Sequence, residues 1–547
     1  MKFSFRASLR AVPFVVLAAT PTFGQANANP AIDVELGAMS TLTQLGRTGT
    51  FPNGVNGITM RTTSCNKGSV VVPWEQAMDP DHPSIAFIVA RDDGVRFQQI
   101  SNRSYLKHGF FALQQNLCDT CQGGTPQGDF LGLGCSDTYT QNTNGNRFWL
   151  GPADEVNPWT GDWDPVGSYF DTGDPAVGGG AASDGVRSLD QSQVNQFSGD
   201  KNRVEVKDVS LLETGSERFY YQAQYVVAQE LESLRDNNTG WREVNPNFSG
   251  GSWSFANVTS MALGSVLDGW SGASVTSNTN GSDDGRVFVA VKVTGPTDGL
   301  YHYEYAVHNR DNSRGIANFT LPICSESTVS NIGFSDVDRF SATDWIGTTN
   351  GTELTWSTTS NPLNWNSIYS FWFDSDAAPV DGVNISLDQF VPGAGADSVT
   401  ISTRVPMANH NYETGPGCSN GVVPRLFAAG TTAQATIGNL GFKVQALDVA
   451  PSTPTIFLFT PFNGTVDVGG GCNLYMGTQN ILFRVRISDG TGRANLNLPI
   501  PNDMALEGAN VNFQLMELDP LGGPFSTDFD LSNGLRVRIG DQLPSCP

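Results

Sequence analysis

A ten-residue stretch, Tyr301–Arg310, carries two of the chain's five histidines and a carboxylate at alternating positions. Successive side chains of a β-strand point to opposite faces, so His302, Glu304 and His308 share one face. Imidazole and carboxylate groups on one face can bind a transition metal if a neighbouring strand completes the ligand set. Along a strand His302 lies about 20 Å from His308 but only about 7 Å from Glu304. The spacing therefore favours His302 and Glu304 as candidate metal ligands.

The opposite face of the same stretch is apolar, and its side chains are Tyr301, Tyr303, Tyr305 and Val307. Such alternation is typical of a strand with one side in a core. The polar face is then either a metal site or a face that is solvated or packed on another sheet. The preceding run Arg286–Val293 and the turn residues Gly295–Gly299 predict a β-hairpin over residues 286–308.

A second candidate site lies in residues 123–180, a stretch rich in Gly, Asp, Asn and Pro. Within it, Asp162 and Asp164 flank Trp163, and Trp159 precedes them. Aromatic rings with polar groups at their edges suit the stacking of sugars, so these four residues predict a carbohydrate-binding platform. The alternative is that both rings anchor a long loop to a β-sandwich.

Acidic turns recur along the chain, and Ca²⁺ is a candidate cofactor because it binds six to eight oxygen ligands. None of these turns matches the helix–loop–helix calcium pattern, so ordinary acidic turns are the alternative. The turns are Asp92–Gly94, Asp162–Asp164, Asp171–Asp174 and Asp283–Gly285.

The eight cysteines form two groups of four. An even number in each part of the chain favours disulfides if the chain is exported, as its N-terminus indicates below, although sequence alone does not give their pairing. The first group also fits a redox pair at Cys118 and Cys121, or a four-thiolate zinc site. The groups are Cys65, Cys118, Cys121 and Cys135, and then Cys324, Cys418, Cys472 and Cys546.

Catalytic motifs are incomplete in this sequence. Gly417–Gly421 has the spacing of a nucleophile elbow, but no histidine follows it to act as a base. Ser136 or Cys135, with Asp137 and His108, would form a nucleophilic set only if the fold brought them within hydrogen-bond reach. With 54 acidic residues, the sequence does not select the carboxylate pair of a hydrolase.

The N-terminus has the pattern of a secretory signal peptide, which we assign to residues 1–28. Lys2, Arg6 and Arg10 precede a short apolar run, Ala11–Ala19, and small residues follow. No later segment approaches the roughly 20 apolar residues of a transmembrane helix. The formal net charge is −23 and the leader contributes only positive charges. We therefore expect a secreted or cell-surface protein, and so acidic a surface argues against nucleic-acid binding through phosphates.

Short apolar runs between turn residues, with 60 glycines, predict an all-β fold of multidomain β-sandwiches with a long loop-rich N-terminal region. We assign residues 29–404 to a β-sandwich region with long loops, which can divide near residue 200. All eleven tryptophans lie at or before Trp372, and His410 is the last histidine. This change in composition predicts a separate C-terminal β-sandwich domain at 405–547.

Roughly the last 250 residues resemble uncharacterised secreted bacterial β-rich proteins that share a C-terminal β-sandwich domain. The resemblance implies no activity, but it suggests a disulfide between Cys418 and Cys472. The motifs that carry it are Gly417–Cys418, Gly471–Leu474, Ile500–Asp503, Gln514–Pro520 and Ser532–Ile539, with Val329–Val337 and Trp365–Asp374 before them.

These features favour an exported structural or binding protein whose partner is a surface glycan or another cell-envelope component. A secreted hydrolase that acts on polysaccharides is one alternative, with its carboxylates in the loop-rich region. A metal-binding exported protein is the other, and it depends on His302, Glu304 and His108.

Overall fold

The structure is a computed structural model that describes residues 28–76, 78–123, 128–212, 215–281, 284–325, 327–338, 340–408, 410–430, 432–519, 523–525 and 528–540. Almost all of the predicted signal peptide, together with Asp283 and Cys546, lies outside the described residues. Within the described ranges, no helix has both the length and the apolar character to cross a membrane.

The predicted all-β class is confirmed. The first part of the chain forms strands β1 (Val34–Met39), β2 (Thr43–Thr48), β3 (Val55–Thr59), β4 (Thr62–Asn66), β5 (Val72–Pro73), β6 (Ser84–Asp92), β7 (Phe97–Gln99), β8 (Leu106–His108), β9 (Phe130–Leu131), β10 (Ser136–Tyr139), β11 (Leu150–Gly151), β12 (Val204–Lys207), β13 (Arg218–Val226), β14 (Thr239–Ser249), β15 (Ser252–Asn257) and β16 (Ala262–Leu263). An eight-stranded sheet, which we call the N-terminal sheet, has the main order β11-β8-β6-β13-β14-β15, and β7 and β16 pair at its sides. Two three-stranded sheets, β1-β4-β10 and β12-β3-β2, accompany it.

The described helices have at most seven residues each and lie in connections between strands. The α-helices are Gln141–Asn144, Tyr169–Thr172, Gln191–Val194 and Asp208–Leu211, and the 3₁₀ helices are Arg147–Trp149, Ala153–Glu155, Pro175–Val177, Glu232–Asn238, Val266–Gly269 and Met504–Leu506. Between β11 and β12 the chain contains short helices and loops, as the density of turn residues predicts.

The next part forms two five-stranded sheets from β17 (Ser274–Thr279), β18 (Arg286–Thr297), β19 (Leu300–Asn309), β20 (Ile316–Pro322), β21 (Val329–Ser335), β22 (Ile346–Thr349), β23 (Glu353–Ser357), β24 (Ser367–Ser375), β25 (Ala378–Gln389) and β26 (Ser398–Ala408). The middle sheet has the order β17-β18-β19-β24-β21, and its partner has the order β22-β23-β20-β25-β26. Strands β18 and β19 pair antiparallel, as the hairpin prediction states.

Alternating side chains of the central strands β6 and β19 lie in different hydrophobic cores. The sheets are therefore stacked in layers. In β6, Phe87 and Val89 face the small N-terminal sheets, whereas Ile88 and Ala90 pack in a cluster with Ala306 of β19. The N-terminal sheet and the middle sheet therefore pack face to face. In β19, Tyr303 and its apolar neighbours on that face lie in the core shared with the β20 sheet.

The last part of the chain forms β27 (Asn411–Gly415), β28 (Arg425–Ala429), β29 (Lys443–Leu447), β30 (Pro454–Thr460), β31 (Val466–Gly469), β32 (Cys472–Leu474), β33 (Leu482–Ile487), β34 (Ala494–Asn497), β35 (Asn510–Leu518), β36 (Phe529–Leu531) and β37 (Gly534–Arg538). A sheet with the order β27-β37-β35-β30-β33 faces the sheet β28-β29-β34 across a core of its own. These strands pair only with one another within the described residues. Pairing of β12 with β3 and of β13 with β6 connects both sides of residue 200, and the domain limits themselves stay predictions.

Disulfides join Cys65 to Cys118, Cys121 to Cys135, and Cys418 to Cys472. The last is the disulfide that the resemblance suggests. Cys118 and Cys121 bond to different partners, so they do not form a redox pair with each other, and their thiols are not free for zinc. Cys324 is disulfide-bonded as well.

Candidate functional site

The polar face of β19 lies between two stacked sheets. Glu304 is only 1% exposed and His308 is fully buried. The cause is the packing of this face on the N-terminal sheet, which the sequence analysis gave as one alternative to a metal site.

His302 binds two carboxylates. Its Nδ1 lies 2.6 Å from Oδ1 of Asp374, and its Nε2 lies 3.0 Å from Oε1 of Glu304. These hydrogen bonds, with that of Glu304 as the larger cause, raise the pKa of His302 above its ordinary value. Both ring nitrogens are therefore used as donors, because a carboxylate oxygen accepts in each bond.

Both carboxylate oxygens of Glu304 likewise accept hydrogen bonds. Arg96, on the connection between β6 and β7, donates to both of its carboxylate oxygens, with distances of 2.6 and 2.9 Å for the two shortest bonds. The Arg96 guanidinium also lies 3.3 Å from the centre of the Trp372 ring. Such a fork-to-fork pair with a cation–π contact joins the two stacked sheets.

These hydrogen bonds use both ring nitrogens of His302 and both carboxylate oxygens of Glu304, so neither side chain has a free atom with which to bind a metal. Within the described part of the chain, no group of three or more His, Cys, Asp or Glu side chains is placed to hold a metal ion. His308 does not join His302, because its Nδ1 lies 2.9 Å from Oγ of Ser265. The polar face of β19 is best described as an ion-paired contact between sheets.

A polar cleft of about 570 Å³ lies where the loop after β11 meets the end of the second pair of sheets. The 3₁₀ helix Ala153–Glu155 and the turn Asp162–Asp164 form one wall. The segments that flank β20 and β24 form the other wall, and their residues at the cleft include Arg314, Asn364 and Trp365. The cleft thus contains three of the four residues predicted to bind carbohydrate, and Trp159 does not line it.

The two predicted stacking rings are buried. Trp159 is 3% exposed and Trp163 is 4% exposed. Trp163 contacts the rings of His82 and His108, with centroid distances of 4.9 and 5.0 Å. Neither indole therefore offers a free face for a sugar, and both anchor the loop, as the alternative interpretation holds.

The carboxylates of the cleft differ in environment. Asp162 and Asp164 are exposed. Glu155 is partly buried, and burial raises its pKa; its Oε1 accepts a hydrogen bond of 2.8 Å from the backbone N–H of Tyr169. Asp154 pairs with Arg103 at the cleft wall. The cleft is consequently rich in acceptors for hydroxyl or ammonium donors.

The acidic turns named as calcium candidates use their carboxylates to cap backbone groups. Asp92 accepts from Gly94 N–H at 2.9 Å. Asp171 accepts from the N–H groups of Gly167, Asp184 and Gly185. These hydrogen bonds are typical of ordinary turns, and Ca²⁺ binding at any of the four turns stays a hypothesis.

His82 and His108 form a buried pair that the sequence does not indicate. Nε2 of His82 lies 2.6 Å from Nδ1 of His108, and Nδ1 of His82 lies 2.5 Å from the Asp79 carbonyl. A carbonyl only accepts, so His82 carries its proton on Nδ1 and His108 donates to His82. The sequence contains no signal for this pair, because the two residues lie 26 positions apart.

The nucleophilic set proposed around Ser136 does not assemble with His108. Ser136 Oγ donates to the Gln115 carbonyl at 3.1 Å, and Asp137 accepts from Leu113 N–H at 3.0 Å. At the other motif, Ser419 Oγ donates to Asp530 at 2.7 Å.

No protein family and no curated protein matches this sequence. Among solved structures, one similar chain is a tetra-tandem repeat from the extending region of a large adhesion protein. It is 8% identical, with 93% of this chain and 99% of that chain covered, and a TM-score of 0.14. Another comes from work on host cell surface retention of a 1.5-MDa bacterial ice-binding adhesin, at 11% identity, 55% and 90% coverage, and a TM-score of 0.14. Similarity at this level carries no argument about fold or function.

Proposed function

We propose that this protein is exported and acts outside the cell or on its surface as a binding protein, with a cell-envelope glycan as its ligand. The leader-like N-terminus, the acidic composition and the disulfides support an extracellular place of action. The cleft between Asp162 and Arg314 is the observation that carries the proposal.

The chemistry of the cleft favours a ligand rich in donors. Asp162 and Asp164 present exposed carboxylates, whereas Arg314 is 6% exposed and donates to the carbonyl of Val391 at 2.6 Å. Hydroxyl and amino groups of a glycan would donate to the carboxylates, and a polyanionic glycan would be repelled. Since the tryptophan rings are buried, recognition would rest on hydrogen bonds.

A glycan array of neutral, amino-bearing and acidic sugars tests the proposal. We expect binding to neutral or amino-bearing glycans that Asp162→Asn with Asp164→Asn reduces about tenfold or more, because two charged acceptors become neutral amides. Asp448→Asn with Glu507→Gln, which changes two exposed carboxylates in the last part of the chain, is the matched control. Equal signals from wild type and the cleft variant, or no bound glycan, would remove the proposal.

Glu155 favours a second candidate function, hydrolysis of a polysaccharide. A carboxyl with a raised pKa is suited to act as a general acid, and it shares the cleft with the carboxylates of Asp162 and Asp164. Release of reducing ends from polysaccharides is the measurement, and Glu155→Gln should abolish it. An inactive wild-type protein that binds glycan would leave binding as the function.

A further inference from the structure

Strand β33 is an exposed edge of the C-terminal part. It pairs with β30 on one side and ends the order of its sheet. All of its residues are exposed, including Phe483 at 61% and Ile487 at 62%. Large apolar side chains in a row on an open edge strand promote association, and soluble proteins normally avoid them.

The two faces of β33 differ in chemistry. Arg484 pairs with Phe457, a core residue of β30, so Arg484 and Arg486 extend on the core side of the sheet. The outer side carries Phe483, Val485 and Ile487, which continue the partly exposed side chains of Ile456 and Leu458.

The hydrogen bonds between β30 and β33 show which backbone groups of β33 face the open edge. Ser488 donates its N–H to the Thr453 carbonyl at 3.0 Å, directly after the last pair of β30 and β33. Hydrogen-bonded and non-hydrogen-bonded pairs alternate in an antiparallel ladder. The N–H and C=O groups of Phe483, Val485 and Ile487 therefore point away from β30.

The arginine side chains reach this open edge. Nη1 of Arg484 donates to the Phe483 carbonyl, and Nη1 of Arg486 donates to the Val485 carbonyl, both at 2.9 Å. Within the described residues neither arginine forms an ion pair, although the whole chain has a formal net charge of −23. Two cations without a carboxylate partner thus lie beside a strand edge that no other described strand covers.

We infer that β33 is a docking edge for an extended segment of a partner protein in which acidic and apolar residues alternate. The segment would add a strand to the sheet through the outward N–H and C=O groups of β33. On docking, the arginines would release the Phe483 and Val485 carbonyls to the N–H groups of the segment and pair with its carboxylates instead. Because side chains alternate with period two, its apolar residues would lie beside Phe483 and Val485. Its acidic residues would lie beside Arg484 and Arg486.

A second copy of this chain is a poorer occupant than an acidic segment. In a symmetric antiparallel pair of two β33 strands, any register that places Val485 opposite Phe483, Val485 or Ile487 also places arginine opposite arginine. Like charges directly opposite each other destabilise a strand pair. The charge of the edge therefore selects a partner of opposite charge.

The test uses a labelled six-residue peptide of alternating valine and glutamate, with binding to the full chain measured by fluorescence anisotropy. We expect saturable binding that weakens in 1 M salt, where charges are screened within about 3 Å. Arg484→Gln with Arg486→Gln should weaken it about tenfold. Arg61→Gln, which changes an exposed arginine in the first part of the chain, should leave it unchanged.

Two further peptides separate the contribution of charge to binding from that of the main-chain hydrogen bonds. Lysine in place of glutamate tests charge, and N-methyl groups on alternate residues test the main-chain hydrogen bonds; both should bind at least tenfold more weakly. Equal affinity for all three peptides, or no binding at millimolar peptide, would overturn the inference. A dimer in light scattering that Val485→Thr disrupts would instead assign the edge to a second copy. These outcomes do not depend on the cleft, whose variants leave β33 unchanged.

Discussion

Arg96 and Glu304 lie 208 positions apart in the chain, yet the guanidinium of one forms a two-pronged ion pair with the buried carboxylate of the other. Glu304 is on the middle sheet and Arg96 is next to the N-terminal sheet, so the pair links the two sheets beside the apolar cluster that packs between them. Its neighbours, His302 and Trp372, are half-buried and complete this contact at the rim of a largely apolar interface. The residues that the sequence offers as a metal site thus have a structural role.

Removal of the Glu304 charge should destabilise the fold. Glu304→Gln leaves the Arg96 guanidinium without its ionic partner, and loss of one member of a buried pair costs about 3 kcal/mol. Urea unfolding followed by tryptophan fluorescence measures this change. Arg404→Gln breaks an exposed pair with Asp381 and should cost less than about 1 kcal/mol. Equal effects of the two substitutions would contradict the role assigned to Arg96 and Glu304.

The buried histidine pair predicts a loss of stability in acid. Burial lowers the pKa of His82 to about 3, whereas an unfolded histidine titrates near 6.5. The unfolded state therefore binds more protons between these values, and stability falls as pH drops below about 6.5. At pH 5 the cost is about 2 kcal/mol for one such histidine. The free energy of unfolding, measured with urea, should fall less between pH 7 and pH 5 in His82→Gln than in the wild type. An identical fall in the two proteins would refute the prediction.

The two disulfides Cys121–Cys135 and Cys418–Cys472 should differ in their contribution to stability. They close loops with sequence separations of 14 and 54 residues. Loop-closure entropy predicts that replacement of both cysteines by serine costs about 3 kcal/mol for the shorter loop and about 4 kcal/mol for the longer one. Denaturant unfolding of the two double variants shows which of them loses more free energy of unfolding. The opposite order would show that native-state contacts, and not loop length, decide the contribution.

Replacement of Trp163 should lower the stability of the fold but should not abolish glycan binding. Trp163→Ala removes a ring packed against His82, His108 and Phe170, and such a truncation costs about 3–5 kcal/mol. Thermal unfolding measures this loss. Under conditions in which the variant remains folded, glycan binding should persist, because the ring offers no exposed face. Unchanged stability together with lost binding would restore the stacking interpretation.

The sequence by itself determines the local features of this protein. Alternation of tyrosine with polar residues in Tyr301–Val307 fixes which side chains enter the core, because a strand has a period of two residues. The turn residues Gly295–Gly299 likewise mark the hairpin, and the many short apolar runs mark the all-β class. These patterns need only neighbours in the chain.

Tertiary structure alone decides what covers each face. Burial of Glu304 and His308 depends on the N-terminal sheet, whose contact Arg96 lies 208 positions from Glu304. The burial of Trp163 depends on histidines brought in by β8 and the loop before β6. The same holds for β33, whose apolar pattern resembles that of a covered strand although its edge is open. A periodic pattern shows that a strand has two faces, whereas only the stacking of sheets shows which face meets protein and which meets solvent.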